Sequence, residues 1–241
     1  MSFEYASWSL PAGVYAGWTT RRSGVSTGMH GSNNIALHVG DESSAVAENR
    51  ARLRSSLIGQ PDICWLNQTH STVVVDIVEA NPYQGQDGSH TQRSGIACAV
   101  MTADCLPVFL WSSSGTRIAA VHAGWRGLAQ GILLNALTHF VTPEQVVCGI
   151  GPAISVSAFE VGEDVRSAFA GWPDAGVAFK ARSIKGKYWC DLPMLAEAQL
   201  RQAGVSRVYQ SSLCTFQDNT RFYSYRRDGQ TGRMANLIWK V

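Results

Sequence analysis

Two imidazoles and a thiol, His70, Cys105 and His122, each stand where an apolar run of this chain gives way to a small or polar turn. Two neutral imidazoles and a thiolate are ligand types of tetrahedral zinc, and three such ligands leave a fourth position open for water or substrate. The same side chains also suit covalent chemistry, with a thiolate activated by a neighbouring histidine. No C-x-x-C or H-E-x-x-H module joins them. Spacing alone therefore leaves a metal site, a thiol nucleophile and three structural side chains all open.

The segments around these residues read as elements that hold them. His70 ends Trp65-Leu66-Asn67-Gln68-Thr69-His70 and precedes Thr72 to Val78, a β-branched run with strand character. Cys105 follows the apolar stretch Ile96 to Met101, and Pro107 steers the residue before it away from helix, which puts the thiol on a bend. Ile118 to Val121 reads as a strand closed by His122, before the turn Ala123-Gly124-Trp125-Arg126-Gly127. Beyond it Leu128, Ile132, Ala136 and Phe140 recur at helical spacing with Leu133 and Leu137 beside them, as in one long amphipathic helix anchoring the turn.

Elsewhere Ser43 to Leu57 reads as a helix stopped by Gly59, Val146 to Ile150 as a buried strand, and Glu163 to Phe169 as a short helix. Asp191 is placed to cap a helix running to Gln202, with Pro193 in its first turn and Gly204 past its end. Phe222 to Tyr225 and Ala235 to Lys240 alternate around Asp228-Gly229 as a closing hairpin or a wide loop. Asn81 to Gly95 and Ala170 to Gly176 read as loops. The expected class is α+β, a single domain over 1–241 in which mixed sheets carry flanking helices, with no repeat and no linker.

Composition narrows the partners. The 241 residues carry 20 basic and 18 acidic side chains scattered along the chain, for a net charge of +2. That leaves no electrostatic footprint for nucleic acid, so a small-molecule partner is expected. Met1-Ser2-Phe3-Glu4-Tyr5 lacks a positive region followed by an apolar core, and no run is long enough to cross a bilayer. The expectation is a soluble, cytoplasmic protein without a membrane partner. Cys64, Cys98, Cys148, Cys190 and Cys214 sit in strand-like or apolar surroundings where reduced thiols pack as small hydrophobes, leaving Cys105 as the chemically interesting one.

Several segments, in order, carry a family likeness. Asn67-Gln68-Thr69-His70, Met101-Thr102-Ala103-Asp104-Cys105-Leu106-Pro107-Val108 and Ala120-Val121-His122-Ala123-Gly124-Trp125-Arg126-Gly127 are joined by Ser32 to Asp41, Glu48-Asn49-Arg50, Gly149 to Ile154, Phe159 to Gly162 and Phe222 to Asp228. Over nearly its whole length the chain resembles the YfiH-like family, also called the laccase-domain or polyphenol oxidoreductase family. It departs in Ser23, where the family usually has glycine, and in Ile35, where leucine is usual. The resemblance implies a single-domain α+β fold with zinc held by His70, Cys105 and His122. It also implies purine nucleoside phosphorylase activity on adenosine, inosine, guanosine and methylthioadenosine, adenosine deamination and, in some bacterial members, editing of peptidoglycan precursors.

Each implied chemistry makes demands on side chains. Phosphorolysis needs cationic forks for phosphate, and Arg21, Arg126 and Arg226 lie in the family-like segments. Asn34 and Gln68 could hydrogen-bond a nucleoside, or merely cap turns. Zinc deaminases use a glutamate in H-x-E and a P-C-x-x-C pair, both absent here, so Asp104 or Asp87 would have to shuttle the proton unless each only serves a turn. A multicopper oxidase needs many more imidazoles than the six here, and there is no H-x-H pair, although copper could bind a His2Cys set. His30, His38, His90 and His139 read as loop, surface or packing residues. Two other classes stay open: a metal-free Cys-His hydrolase, and a non-catalytic module stapled by zinc or docking through exposed Trp8, Trp18 or Trp172.

Overall fold

The computed structural model describes residues 2–172 and 174–241; Met1 and Pro173, the latter within the stretch expected as a loop, lie outside the described residues. In chain order the strands are β1 (Phe3–Tyr5), β2 (Val14–Thr19), β3 (Asp62–Cys64), β4 (Val74–Asp76), β5 (Gly88–Thr91), β6 (Ile96–Thr102), β7 (Leu106–Ser112), β8 (Ile118–Ala123), β9 (Val146–Ile150), β10 (Glu160–Gly162), β11 (Phe179–Ala181), β12 (Lys187–Cys190), β13 (Arg207–Gln210) and β14 (Met234–Lys240). They form a five-stranded sheet ordered β1-β2-β14-β6-β3, a six-stranded sheet ordered β13-β9-β7-β8-β5-β4, and a small sheet ordered β10-β12-β11. Pairing is antiparallel except for β3 with β6, β4 with β5 and β13 with β9.

Strands apolar on both sides need cover on both faces, and that requirement stacks the layers. Cys98, Val100 and Ile238 of the five-stranded sheet meet Phe109, Trp111, Ile118 and Ala120 of the six-stranded sheet in one core. Their sequence neighbours Ala97, Ala99, Leu237 and Trp239 point the other way, onto Leu53 of helix α1 (Ser43–Ser56). On the far side of the six-stranded sheet, Val108, Leu110, Ala119 and Val121 pack under helices α2 (Trp125–Ala129), α3 (Ile132–Leu137), α4 (Glu163–Ala168), α5 (Ala175–Ala178) and α6 (Leu192–Gln202). A last short helix, α7 (Tyr225–Asp228), is capped by Ser224, whose Oγ accepts from the Arg227 amide at 3.2 Å. This is an α+β fold with mixed sheets and flanking helices, as expected.

The departures from expectation have local causes. The Thr72 to Val78 run yields only β4, because Val73 and Val78 are exposed and a 3-10 turn over Ile77–Glu79 follows. The Asn81 to Gly95 stretch contains β5, a fully buried strand whose Gly88-Ser89-His90-Thr91 sequence carries no apolar signal. The long helix is broken in two at Gly131, whose φ of +90° no helix allows. Its apolar face is nonetheless buried as expected, and each large side chain there contributes about 1.5–3 kcal/mol. Phe222 and Tyr223 are core residues outside any strand, and Ala235 to Lys240 pairs with β2 and β6 instead of closing a hairpin. Trp18 is buried, Trp8 stacks on Trp111 and Tyr209, and Trp172 packs edge-on to Phe169, so none is a free docking side chain.

Candidate metal centre

One buried carboxylate builds half of the site. Asp87, just ahead of β5, has no solvent exposure and receives five hydrogen bonds, from the amides of Thr69, His70 and Ser71, the Ser71 hydroxyl and Nδ1 of His122, at 2.6–3.1 Å. Three successive amides converge on one anion because His70 takes a left-handed φ of +61°. That conformation costs energy in a residue with a side chain, and the carboxylate holds it. The Asp87 carbonyl also accepts from the His122 amide at 2.7 Å. Asp87 thereby fixes the His70 turn against β8, where His122 stands opposite Pro107 of β7 and still inside the strand. Hydrogen bonds from His122 and Ser71 and the charge of His122 outweigh burial and hold the Asp87 carboxyl below its usual range. It is a positioning residue sealed from the cavity, which removes it as a proton carrier.

Cys105 is placed by a second carboxylate. Asp104, at φ +100°, accepts from Thr215 Oγ1 at 2.6 Å, Ser224 Oγ at 3.0 Å and the Arg226 amide at 2.7 Å. It ties the start of α7 to the bend carrying the thiol and, unlike Asp87, lines the cavity that holds the cluster.

His70, Cys105 and His122 come together, with donor atoms within 4.8 Å of one another, as the metal-site reading expects. Cys105 Sγ lies 3.8 Å from His70 Nε2, and the two imidazole rings sit 4.8 Å apart at 73°. His70 is exposed, Cys105 half-buried and His122 buried, so the cluster is open on one side. Bonds of about 2.0–2.3 Å to a common tetrahedral ion put ligand atoms about 3.3–3.6 Å apart, against 3.8 Å for Cys105 Sγ to His70 Nε2 and up to 4.8 Å across the set, so the three side chains would draw in by up to about 1 Å around an ion. Asp87 on Nδ1 leaves Nε2 of His122 as the donor, the carboxylate–histidine arrangement that orients metal ligands. The residues fit a single thiophilic divalent ion. Without one, burial opposes ionisation of the thiol, but the charge of His122 and hydrogen bonds from both histidines bring Cys105 down to about 6. Burial likewise opposes protonation of His122, which Cys105 and Asp87 together raise to about 9.

The cluster lies in a cavity of about 520 Å³. Gln68, Arg126 and Arg226 line it, and Gln68 clamps both the amide and the carbonyl of Met101 with its side chain. Arg126 is stacked on Trp125, and Arg226 donates to the Glu160 carbonyl at 2.8 Å. Arg21 and Asn34 are elsewhere. Arg21 packs on Tyr223 near Asp228, and Asn34 is buried against Ala36, Asp41 and the Arg233 amide. Conversely, His38, read above as loop or surface, lines the cavity with Trp125, Phe159, Tyr225 and Arg233. Of these only Arg233 lies outside the family-like segments; the others are in them but carry no local pattern that separates a cavity wall from a surface residue, because they come together only in the fold.

Gly124 is a further residue that the sequence reading passed over. Its φ of −59° strains nothing, yet a Cβ there would stand 2.8 Å from His70 Cδ2 and 3.3 Å from Cys105 Sγ. Gly124→Ala is expected to weaken metal binding roughly 10- to 100-fold, the scale of losing an outer-shell partner, with little change in melting temperature. A competitive chelator titration checks this, and an affinity equal to the parent's rules out the steric argument.

Fold and cluster together define a layered α+β protein with a candidate mononuclear metal site. The family model described as "Multi-copper polyphenol oxidoreductase laccase" matches residues 15–241, and the chain belongs to that family, whose members include the YfiH proteins. It is 44% identical over 236 residues, 96% of each chain, to a protein of Pseudomonas aeruginosa named purine nucleoside phosphorylase. It is 41% identical over 239 residues, 97% of each chain, to purine nucleoside phosphorylase YfiH of Escherichia coli. Among solved structures, a Neisseria meningitidis protein superposes with a TM-score of 0.94 at 45% identity, covering 100% of this chain and 99% of that one. YlmD of Geobacillus stearothermophilus superposes with a TM-score of 0.88 at 29% identity, covering 99% and 98%. No described helix is long and apolar enough to cross a membrane.

Proposed function

We propose that the protein is a zinc-dependent purine nucleoside phosphorylase, acting on adenosine, inosine, guanosine and methylthioadenosine, with adenosine deamination as a side activity. The observation that carries this reading is the cavity itself: it is nucleoside-sized, with the three candidate ligands on its surface and guanidiniums and aromatic rings around them. The names of the relatives point the same way. In phosphorolysis a phosphate oxygen bonds to C1′ of the ribose as the C1′–N9 bond breaks, and the electron pair leaves on the purine, which takes up a proton. Trp125, Phe159 and Tyr225 offer faces for the base, and Arg126 and Arg226 bring positive charge to the approaching phosphate. A divalent ion on His70, Cys105 and His122 supplies Lewis-acid charge in the same space. Zinc suits one thiolate and two imidazoles; copper binds the same set, but no described second cluster exists to support multicopper oxidation. Six free cysteines fit the reducing cytoplasm as its location.

The test is a panel of the four nucleosides and a uridine-diphosphate cell-wall precursor, each with and without phosphate, with products identified by mass spectrometry. Free base and ribose 1-phosphate, or 5-methylthioribose 1-phosphate from methylthioadenosine, should form only with phosphate present. Turnover of the cell-wall precursor alone would point instead to peptidoglycan editing. A second reading, a Cys-His hydrolase, is favoured by the thiolate–imidazolium pairing of Cys105 and His122. Activity that survives complete chelation would select it.

A further inference from the structure

Two guanidiniums at or beside this cavity have no carboxylate within ion-pair distance; the charges of Cys105 and Asp104 reach Arg233 only from farther away, and burial outweighs them. Of the half-buried arginines among the described residues, Arg21, Arg182, Arg221 and Arg227 each face an Asp or Glu carboxylate, and Arg117 meets Nδ1 of His90. Arg50 and Arg233 have no carboxylate within ion-pair distance. Arg233 lines the cavity and spends Nη1 on the carbonyls of Thr231 and Gly232, at 2.8 and 3.1 Å. Arg50 lies flat on Trp65, 4.1 Å from the ring centre, donates Nε to the Ile35 carbonyl, and brings Nη2 to 3.9 Å from the sulfur of cavity-lining Met101. Burial alone lowers Arg50 to about 10. His38 lines the cavity with Arg233, and Ile35 ties the two arginines together, its amide donating to the Arg233 carbonyl at 3.3 Å and its carbonyl accepting from Arg50 Nε at 2.9 Å; burial, then the charges of Arg233 and Arg50, hold the His38 pKa below the ordinary 6.5.

Half-buried positive charge without a directly paired carboxylate is costly, and an anionic ligand offsets that cost. We propose that Arg50, Arg233 and His38 form a subsite for a phosphoryl dianion on the wall of the cavity that also holds His70, Cys105 and His122. Two planar forks and an imidazole match the several oxygens of a tetrahedral anion. Arg126 and Arg226, by contrast, are exposed and keep more of their water, which suits them to attract an incoming anion and not to hold it. The phosphorolytic reading is needed only to name inorganic phosphate as the occupant; the terminal phosphoryl group of a nucleotide presents the same chemistry.

Isothermal titration of the metal-loaded protein with inorganic phosphate, and separately with inosine 5′-monophosphate, tests the subsite independently of turnover. Phosphate should bind. Arg233→Gln and Arg50→Gln should each weaken it roughly 10- to 100-fold at unchanged metal content, whereas Arg52→Gln, which removes the same charge from α1 at an exposed pair with Glu48, should stay within about twofold. Where a glutamine variant fails to fold, Arg→Lys at the same position keeps the charge, loses the fork, and should still lose about fivefold or more. Inorganic phosphate binding as tightly as the nucleotide identifies the free anion as occupant; a nucleotide about tenfold tighter identifies its phosphoryl group. No binding to the parent protein, or binding by well-folded Arg233 and Arg50 variants within twofold of the parent, overturns the subsite. Phosphate binding without phosphorolysis would defeat the proposed reaction while leaving the subsite standing.

Discussion

Cys105→Ala is expected to leave the purified protein without stoichiometric metal and to abolish phosphorolysis, while the fold survives. The thiol is one of three candidate ligands, and losing it should cost more than the roughly 10- to 100-fold that follows loss of an outer-shell partner. Stability should change little, because Cys105 is half-buried on a bend, β7 begins one residue later with its core side chains untouched, and His122 keeps Asp87 as its counter-charge. Elemental analysis, a thermal melt and the inosine assay read the three parts. A variant that keeps one equivalent of metal, or still splits inosine with phosphate, would falsify the assignment.

Asp87→Asn should do more damage to the fold than to any single contact. The amide offers one acceptor oxygen and one donor group to five donors, so at least one amide of the His70 turn loses its partner inside the protein, and His122 loses its counter-charge. Breaking a buried charge pair in this way costs roughly 3–5 kcal/mol. For a chain of this size that is a fall of roughly 6–20 °C in melting temperature. Metal affinity should fall at the same time, since the turn at φ +61° and the His122 ring are both released. The sign with pH follows: a carboxyl held low in the folded state stabilises at neutral pH, and that contribution disappears only as the pH falls below its ordinary value of 3.8. Differential scanning calorimetry with a metal titration decides the matter, and parent-like values in both measurements would remove Asp87 from the design of the site.

These two residues also mark what could be read from the chain. Cys105, His70 and His122 are legible because each interrupts an apolar run with a group that has chemistry, and the bend before Pro107 follows from local sterics. The helices over Ser43–Ser56, Glu163–Ala168 and Leu192–Gln202 match their expected spans closely, the last with Asp191 accepting from the Met194 amide at 3.0 Å. Asp87 attracted attention as a candidate acid, but its actual work depends on a left-handed turn distant in sequence, and no local pattern encodes that. β5 escaped because a strand buried by its neighbours needs no apolar side chains of its own when Gly88, Ser89, His90 and Thr91 lie between β8 and β4 within the sheet. His38 and Arg233 escaped because surface-like residues become cavity walls only when separate loops meet.

The middle of the five-stranded sheet is filled by β14, which pairs on one side with β2 and on the other with β6. During synthesis, everything before residue 234 must therefore leave the ribosome with two sticky strand edges exposed and no way to seal them. Unpaired edges of this kind invite association between chains. A chain cut before β14 is complete, whether by a protease or by a premature stop, would lack the strand that joins the two halves of this layer.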